Sequence, residues 1–432
     1  MITKTGKYVT MSSSGYNNKK MVLAMRSMYF IVWGTQFIGQ QYMSIYIRSF
    51  PFVSDVMVGL IVSLGYLVTT LSQPVWGSVA DHARTKNRVL RGVILCAAAF
   101  MWLLILPKHA TFFTLVPSVL AVFAVLIIPG MLTDTIVVEN IERTGVPFGT
   151  VKCFSSAGAG SAALLLYILS LFIPIKPATT FIIAAFNSAL SLVPLRFMPV
   201  TRGHARGVKG GGGKTNIKAV FKNRRLVLLL AYILLLFTGV QATNVFLGIY
   251  YATARGLNAG IGMYGLFFAI CIACETCLML FANRLLSRID IYNIFLLVAL
   301  AASGRALVIF LSPNVYVIQV CAVFHALLFA PLWSRLSPYV NSIVTKETRA
   351  TGQAAWYIMA FGLGPVFGSA LGGVIADLTG LRNLFLVTAL MLFAIAFLFY
   401  FLFRRQRALD KAEEMQEGND TQAFMAMTDD RG

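Results

Sequence analysis

The length, composition and charge of the chain exclude most soluble classes of protein. It has 432 residues, of which 58% are hydrophobic and 12% are charged. Soluble domains carry about 25% charged residues, and a mean hydropathy of +0.76 leaves too little polar surface for a water-soluble body. The net charge of +20 is scattered between apolar runs without zinc-ligand spacing, so we expect no nucleic-acid partner. The composition indicates a polytopic protein embedded in a lipid bilayer.

The apolar runs predict the number of membrane spans. A spanning helix needs about 20 mostly apolar residues. Windows of that size predict twelve spans, near 25–47, 57–79, 89–106, 112–138, 148–172, 178–197, 226–251, 260–283, 291–311, 315–334, 350–376 and 383–403. Residues 1–20 are polar and lack the apolar core of a cleavable signal, so the first run is expected to stay as a span.

The loops between these spans predict orientation and domain organisation. Of the 36 Lys and Arg, 30 lie at the N-terminus, in or beside the even-numbered loops, and in the tail, which predicts that both termini are cytoplasmic. We therefore expect a cytoplasmic tail at 1–24, a six-helix bundle at 25–197, a basic Gly-rich linker at 198–225, a second six-helix bundle at 226–403 and a cytoplasmic tail at 404–432.

Motifs for enzymatic chemistry are missing from the sequence. The linker stretch KGGGGKT resembles a phosphate loop, but Val208 occupies the place of the first required Gly and no strand precedes it. The six cysteines lie in or beside apolar runs, which predicts neither a disulfide framework nor a metal site. We therefore expect neither enzymatic activity nor a cofactor.

The loop after the second predicted span carries a distinctive string, GSVADHARTKNR. A Gly that permits close helix approach, an acid at the helix end and three bases can form a charge latch that holds one conformation and releases another. The alternative is an ordinary positively charged cytoplasmic loop. The residues of this predicted latch are Gly77, Asp81, Arg84, Lys86 and Arg88.

The string resembles the loop signature of the major facilitator superfamily. A weaker echo, ANRLLSRID at 282–290, lies at the equivalent place in the second half. The resemblance covers essentially the whole chain and implies an all-α membrane fold of two six-helix bundles that acts as a secondary transporter in the cell membrane. Small-residue runs at 155–163 and 361–373 are expected to serve close helix packing.

Five ionisable residues fall inside predicted spans, where a charge costs roughly 2.5 to 3.5 kcal/mol or more. They are Asp134, Lys152, Glu275, Arg305 and His325. Acids, bases and an imidazole that pair across a cavity could exchange a proton, which favours a proton-coupled carrier. The alternatives are interfacial side chains at Asp134 and Lys152, a static ion pair of Glu275 with Arg305, and a hydrogen-bonded structural imidazole.

Two intervals among these residues resemble the branch of sugar and nucleoside:proton symporters that includes lactose permease. In that branch an acid in span four precedes a base in span five by eighteen positions, as Asp134 precedes Lys152 here. An Arg in span nine also precedes a His in span ten by twenty positions, as Arg305 precedes His325 here. The chain departs from the branch at Leu328, where a Glu is usual, and at Ala159, where a sugar-stacking Trp is usual. Because that Glu is absent, we expect proton coupling to fall on Glu275 or His325. Our hypothesis is that Glu275, paired with Arg305, carries the proton and that His325 belongs to the supporting hydrogen-bond network.

Polar and aromatic side chains in the apolar spans are candidate substrate contacts. Several pair at i and i+3 or i+4, and so share a helix face. Together with Asp134 and Lys152 they are Trp33, Gln36, Gln40, Gln241, Asn244, Gln353 and Trp356. Amides and indole rings suit a neutral ligand rich in hydroxyls or built on a heterocycle.

The sequence thus predicts a monomeric symporter that takes up a sugar, oligosaccharide or nucleoside with a proton. The alternatives are a drug or aromatic-acid transporter of the same superfamily, a sodium-coupled symporter, and a membrane sensor that no longer transports.

Overall fold

A computed structural model describes residues 14–105, 111–203, 223–286, 288–345 and 348–429, in which all regular structure is helical. In the first half of the sequence the helices are α1 (Ser14–Gln41), α2 (Met43–Arg48), α3 (Asp55–His82), α4 (Lys86–Leu103), α5 (Phe112–Val125), α6 (Ile128–Asn140), α7 (Gly149–Lys152), α8 (Phe154–Phe172), α9 (Pro177–Leu190) and α10 (Leu192–Leu195). In the second half they are α11 (Arg224–Ala252), α12 (Gly260–Leu286), α13 (Ile291–Leu311), α14 (Val315–Val320), α15 (Ala322–Ile343), α16 (Arg349–Tyr357), α17 (Gly364–Thr379) and α18 (Leu381–Asp429), with a π-helical turn at Ile358–Leu363 between α16 and α17.

Within the described residues, eleven helical stretches are long and apolar enough to cross a membrane. They match the predicted spans in order, apart from the third. At the place of that span lies α4, which has 18 residues and carries three bases, Lys86, Arg88 and Arg91, in its first two turns. These bases make its N-terminal part too polar for the hydrocarbon core. The expectation of an all-helical, multi-pass membrane protein is confirmed.

The outward faces of the helices are apolar. Phe113, Phe172 and Leu378 expose 86%, 79% and 79% of their surface, and many other Leu, Val and Phe side chains are also exposed. Patches of this kind are unfavourable in water but match hydrocarbon. Helices satisfy their own backbone hydrogen bonds, which is why a chain of this composition folds as helices in a bilayer.

The described residues divide into two compact units. The first contains the described parts of Met1–Val53, Leu64–Gly211 and Ala259–Ile272, and the second those of Ser54–Ser63, Gly212–Asn258 and Ala273–Gly432. The boundary between units therefore passes through α3 and α12. Most of the predicted linker, residues 204–222, lies outside the described residues.

Each unit has its own apolar core. In the first unit, Met25 and Met28 of α1 pack with Val93 of α4 and Leu132 of α6, all fully or almost fully buried. In the second unit, the ring of Tyr232 lies among the rings of Phe295, Phe399 and Phe403, with centroids 5.3 to 5.8 Å apart, and its hydroxyl donates to the Phe295 carbonyl at 2.6 Å. Aromatic clusters of this kind fix the helix register.

Close helix packing by small residues is confirmed in both units. A Cβ on Gly158 of α8 would lie 1.9 Å from the Phe30 carbonyl oxygen of α1. A Cβ on Gly368 of α17 would lie 2.3 Å from the Thr238 carbonyl oxygen of α11. These helices approach backbone to backbone, so any side chain at either glycine would separate them.

Candidate transport site

One group of charged residues lies in the first unit. Lys152, the last residue of α7, donates to both carboxylate oxygens of Asp134 in α6, at 2.6 and 2.9 Å. The Tyr29 hydroxyl of α1 donates to the same carboxylate at 2.6 Å. The side chains of Lys152 and Asp134 remain 33% and 37% exposed. The pair is therefore satisfied internally and still accessible to a ligand.

Aromatic rings flank this ion pair. The Lys152 Nζ lies 4.1 Å from the ring centroid of Trp33 and 4.9 Å from that of Tyr29. Such cation–π contacts favour a desolvated ammonium by about 0.5 to 2 kcal/mol. A Cβ on Gly130 of α6 would lie 3.1 Å from Gln36 Oε1 and 3.2 Å from the Trp33 ring. The glycine thus lets α6 approach the polar face of α1, on which Gln40 lies one turn further along.

A second group of polar residues joins four helices of the second unit. Glu275 of α12 contacts His325 Nε2 of α15 at 3.5 Å. The other ring nitrogen, His325 Nδ1, lies 3.2 Å from an Nη of Arg305 in α13, and Arg305 also donates to Asn244 Oδ1 of α11. Arg305 is 2% exposed and His325 is 7% exposed. The imidazole therefore lies between the acid and the base that the sequence analysis paired directly.

The contacts of His325 fix its tautomer. A guanidinium can only donate hydrogen bonds, so Nδ1 must accept, and the neutral ring carries its proton on Nε2. That proton faces the Glu275 carboxylate. A second proton on Nδ1 would face the Arg305 N–H groups, which already occupy that nitrogen.

The other predicted ligand contacts of the second unit lie elsewhere. The Gln353 amide donates to Ser337 O and Asn341 Oδ1, while its oxygen accepts from Trp356 Nε1 at 2.6 Å and from Ser337 Oγ at 3.1 Å. These contacts use its full hydrogen-bonding capacity. Trp356 is 1% exposed. In this structure both residues fasten α16 to α15. Gln241, one turn before Asn244, packs against Gly368.

The predicted latch is centred on a buried lysine. Lys86 is 2% exposed, and its Nζ lies 3.3 Å from Asp81 and 2.5 Å from Glu139 at the end of α6. Arg84 and Arg88 are exposed. A Cβ on Gly77 would meet no described atom within 4 Å, so in this conformation the glycine does not serve a close helix contact as the sequence analysis expected.

The start of the predicted linker is hydrogen-bonded to this latch. The Lys86 N–H donates to Thr201 O at 2.8 Å, and the Thr201 N–H donates to Asn87 Oδ1 at 2.9 Å. The Asn140 amide donates to Thr201 Oγ1 at 2.8 Å. A Cβ on Gly203 would lie 2.2 Å from the Asp81 carbonyl oxygen. We name residues 199–203 the clasp, since they tie the second, third and fourth predicted spans together.

Sequence reasoning missed Tyr29, Glu139 and Thr201. Tyr29 precedes Trp33 by one turn, so the helical spacing could have placed it on the same face. Glu139 lies at the end of a span, where an acidic residue does not by itself indicate a functional site. Nothing in the local sequence indicates that Thr201 meets the latch, because that contact joins residues more than 110 positions apart.

Buried, paired charges in a multi-pass helical membrane protein are typical of secondary transporters. Comparison with known proteins gives the family: residues 22–387 match the model of the MFS_1 like family, and the chain belongs to this family of major facilitator transporters.

Curated relatives and solved structures agree with this assignment. The chain is 25% identical over 335 residues to a maltose permease of Geobacillus stearothermophilus, covering 78% of this chain and 82% of the relative. It is 22% identical over 351 residues to the uncharacterized transporter YwbF of Bacillus subtilis, covering 81% and 85%. The nucleoside transporter NupG shares the fold, with a TM-score of 0.74 at 17% identity over 90% of this chain and 99% of that one.

Proposed function

We propose that this transporter takes up a sugar, oligosaccharide or nucleoside together with a proton by alternating access. The observation that carries the proposal is the line of contacts from Glu275 through His325 to Arg305 and Asn244. An acid, an imidazole and a buried base in direct contact are costly inside a membrane and serve proton transfer in transporters.

Charge balance explains how this line couples proton and conformation. With a neutral imidazole, the carboxylate of Glu275 balances the guanidinium of Arg305. A proton that enters from solvent onto a Glu275 oxygen removes the negative charge and leaves Arg305 positive and 2% exposed. Such an imbalance is costly in a dry interior. Arg305 then relieves it by moving to another acceptor, and that movement accompanies the change of conformation.

The charged group of the first unit is the proposed substrate contact. Asp134 offers carboxylate oxygens to ligand hydroxyls, Lys152 offers N–H donors, and Trp33 offers an aromatic face. Gln36 and Gln40 of α1 extend this polar surface, and Gln241 of α11 is a further proposed contact on the second unit. Neutral ligands with many hydroxyls fit such groups without introducing a further charge. The names of the maltose permease and of NupG support this substrate class.

The topology is part of the proposal. We infer twelve membrane helices, with α4 as the third, in two six-helix bundles with both termini in the cytoplasm. The bias of Lys and Arg between loops supports this orientation. The conformational latch is formed by Asp81 and Lys86 and by the exposed bases at 84 and 88. The transporter acts as a monomer.

The proposal is tested by uptake in proteoliposomes. Purified protein is reconstituted, and radiolabelled maltose and uridine are supplied with an imposed proton gradient, an imposed sodium gradient or none. We expect one of the two ligands, or a close chemical relative, to accumulate on the proton gradient alone. Accumulation on the sodium gradient alone would show that the coupling ion is sodium and not the proton. Accumulation of aromatic acids or drugs in place of both ligands would favour the other branch of the superfamily.

A further inference from the structure

A stack of aromatic rings lies on the second unit, outside the residues discussed so far. The Phe329 and Trp333 rings of α15 are 5.9 Å apart and inclined by 16°. The Trp333 and Phe361 rings are 5.6 Å apart and inclined by 7°. Three rings from two helical segments are therefore nearly parallel. We name Phe329, Trp333 and Phe361 the aromatic shelf.

The shelf begins beside His325, one of the residues proposed to couple the proton. His325, Phe329 and Trp333 follow one another at intervals of four, which places them along one side of α15. The His325 and Phe329 ring centroids are 4.5 Å apart. A continuous surface thus runs from the polar atoms of Glu275 and His325 to the indole of Trp333. One end of it offers hydrogen-bonding groups, and the other offers aromatic faces.

The shelf rings differ from the neighbouring core rings in exposure. Trp356 is 1% exposed and Phe237 is 6% exposed, as expected for packing. Phe361 is 39% exposed, and Phe329 and Trp333 are partly exposed. A large ring that only filled the core would gain by complete burial. The three stacked rings therefore keep part of their surface uncovered by the described protein, and the first of them adjoins His325.

The surroundings of the shelf hold it in place. Phe361 lies in the π-helical turn Ile358–Leu363, a distortion that occurs frequently at functional sites. The turn directly follows Trp356, which is fastened to α15 through Gln353. The ring of Trp333 lies 6.2 Å from that of Trp356. The hydrogen-bonded pair therefore fixes the turn that carries Phe361 against Trp333.

From this geometry we infer that the aromatic shelf is a stacking site for the substrate, with Trp333 as its central contact. The ligand is a neutral ring compound that has an apolar face and a rim of hydroxyls, such as a pyranose. Its apolar face lies on the shelf, and its rim is directed toward His325, Glu275 and Asn244. This inference rests on the proposed function and names the ring contact on the second unit.

The shelf places the ligand beside the group that binds the proton. A ligand that hydrogen-bonds to Glu275 or Asn244 competes with the contacts of Arg305 and His325. A ligand bound on the shelf would thus disturb the charge balance of Glu275, His325 and Arg305. Ligand binding and proton binding would therefore be thermodynamically coupled.

The test is equilibrium binding by purified full-length protein in detergent. The dissociation constants of radiolabelled maltose and uridine are measured for wild type, Trp333→Leu and Trp333→Phe. The control is Trp102→Leu, since Trp102 of the first unit is 45% exposed and its ring lies 5.7 Å from that of Phe186, away from the shelf residues in the sequence. We expect Trp333→Leu to raise the dissociation constant of the better ligand about tenfold, Trp333→Phe to raise it less, and the control to leave it unchanged.

Fluorescence adds a readout that a purely structural ring would not give. Ligand should change the tryptophan emission of wild type and of Trp102→Phe, and Trp333→Phe should lose the part of that change that Trp33 does not contribute. If Trp333→Leu does not fold, as judged by circular dichroism, Phe329→Leu is measured against the same criterion. A folded shelf variant with an unchanged dissociation constant would overturn the inference, as would a wild type that binds no sugar or nucleoside.

These outcomes separate the shelf from the proposed function. A wild type that accumulates maltose on a proton gradient, together with unaltered binding in Trp333→Leu, refutes the shelf and leaves symport intact. A wild type that binds maltose through Trp333 without accumulating it on that gradient supports the shelf and refutes the proton coupling.

Discussion

Replacing Gly203 by Ala should open the clasp. The added methyl would lie 2.2 Å from the Asp81 carbonyl oxygen and 2.5 Å from that of Ala83. Ordinary contact between these atom types is about 3.5 Å. Both obstacles are backbone atoms, which cannot turn aside as a side chain would. Residues 199–203 must therefore move away from the latch by about 1 Å or more.

A movement of that size breaks the hydrogen bonds of the clasp. The Lys86 N–H to Thr201 O and Thr201 N–H to Asn87 bonds measure 2.8 and 2.9 Å, so an added 1 Å places both beyond hydrogen-bonding distance. Each such bond contributes about 0.5 to 1.5 kcal/mol. The clasp should therefore lose about 1 to 3 kcal/mol, which favours its open form by a factor of about 5 to 150.

Hydrogen exchange measures this change directly. The backbone N–H groups of Lys86 and Thr201 should exchange about 5 to 150 times faster in Gly203→Ala than in wild type, because exchange follows local opening. Gly77→Ala is the matched control, since a methyl there meets no described atom within 4 Å. Equal protection of both amides in wild type and Gly203→Ala would refute the clasp.

Three further predictions concern the latch, the linker and the imidazole. Asp81→Asn should slow transport while leaving the ligand dissociation constant within about threefold, and loss of binding in this variant would contradict the latch. Glu139→Gln should destabilise the protein more than Asp81→Asn does, by about 1 to 3 kcal/mol in thermal unfolding, because Glu139 is the closer partner of buried Lys86. Deleting two residues of Gly210–Gly213 should leave uptake nearly intact, loop positions being tolerant, and abolished uptake in an inserted protein would reveal a specific role. His325→Asn should alter the pH profile of uptake without abolishing accumulation on a gradient, and an unaltered profile would remove His325 from the coupling group.

Helical periodicity and composition were enough to predict the fold class. Apolar length alone located most of the helices within a few residues, because a bilayer accepts few other structures. The exceptions are α1, which begins at Ser14 within the predicted N-terminal tail, and α18, which continues to Asp429 through most of the predicted C-terminal tail. The third span shows where this reasoning weakens. Lys86, Arg88 and Arg91 lie inside α4, whereas the apolar window placed the first two of them in a loop. At the start of this helix, buried Lys86 is paired with Asp81 and with Glu139 of α6.

The candidate site was predictable only in part. Asp134 and Lys152 were recognisable because ionisable residues in spans are rare, and the structure brings them together at 2.6 Å. The position of His325 between Glu275 and Arg305 was not predictable, since it depends on how α12, α13 and α15 pack. For the same reason Gln353 looked like a ligand contact, although its partners are Ser337, Asn341 and Trp356.

Glu275→Gln in proteoliposomes tests the central claim most directly. The amide keeps the shape of a protonated carboxyl group but cannot release a proton. With an imposed proton gradient, wild type should concentrate labelled maltose or uridine, whereas Glu275→Gln should exchange ligand across the membrane without concentrating it, and with an affinity that no longer depends on pH. Accumulation by Glu275→Gln at the wild-type level would contradict the account and transfer the proton to His325 or Asp134.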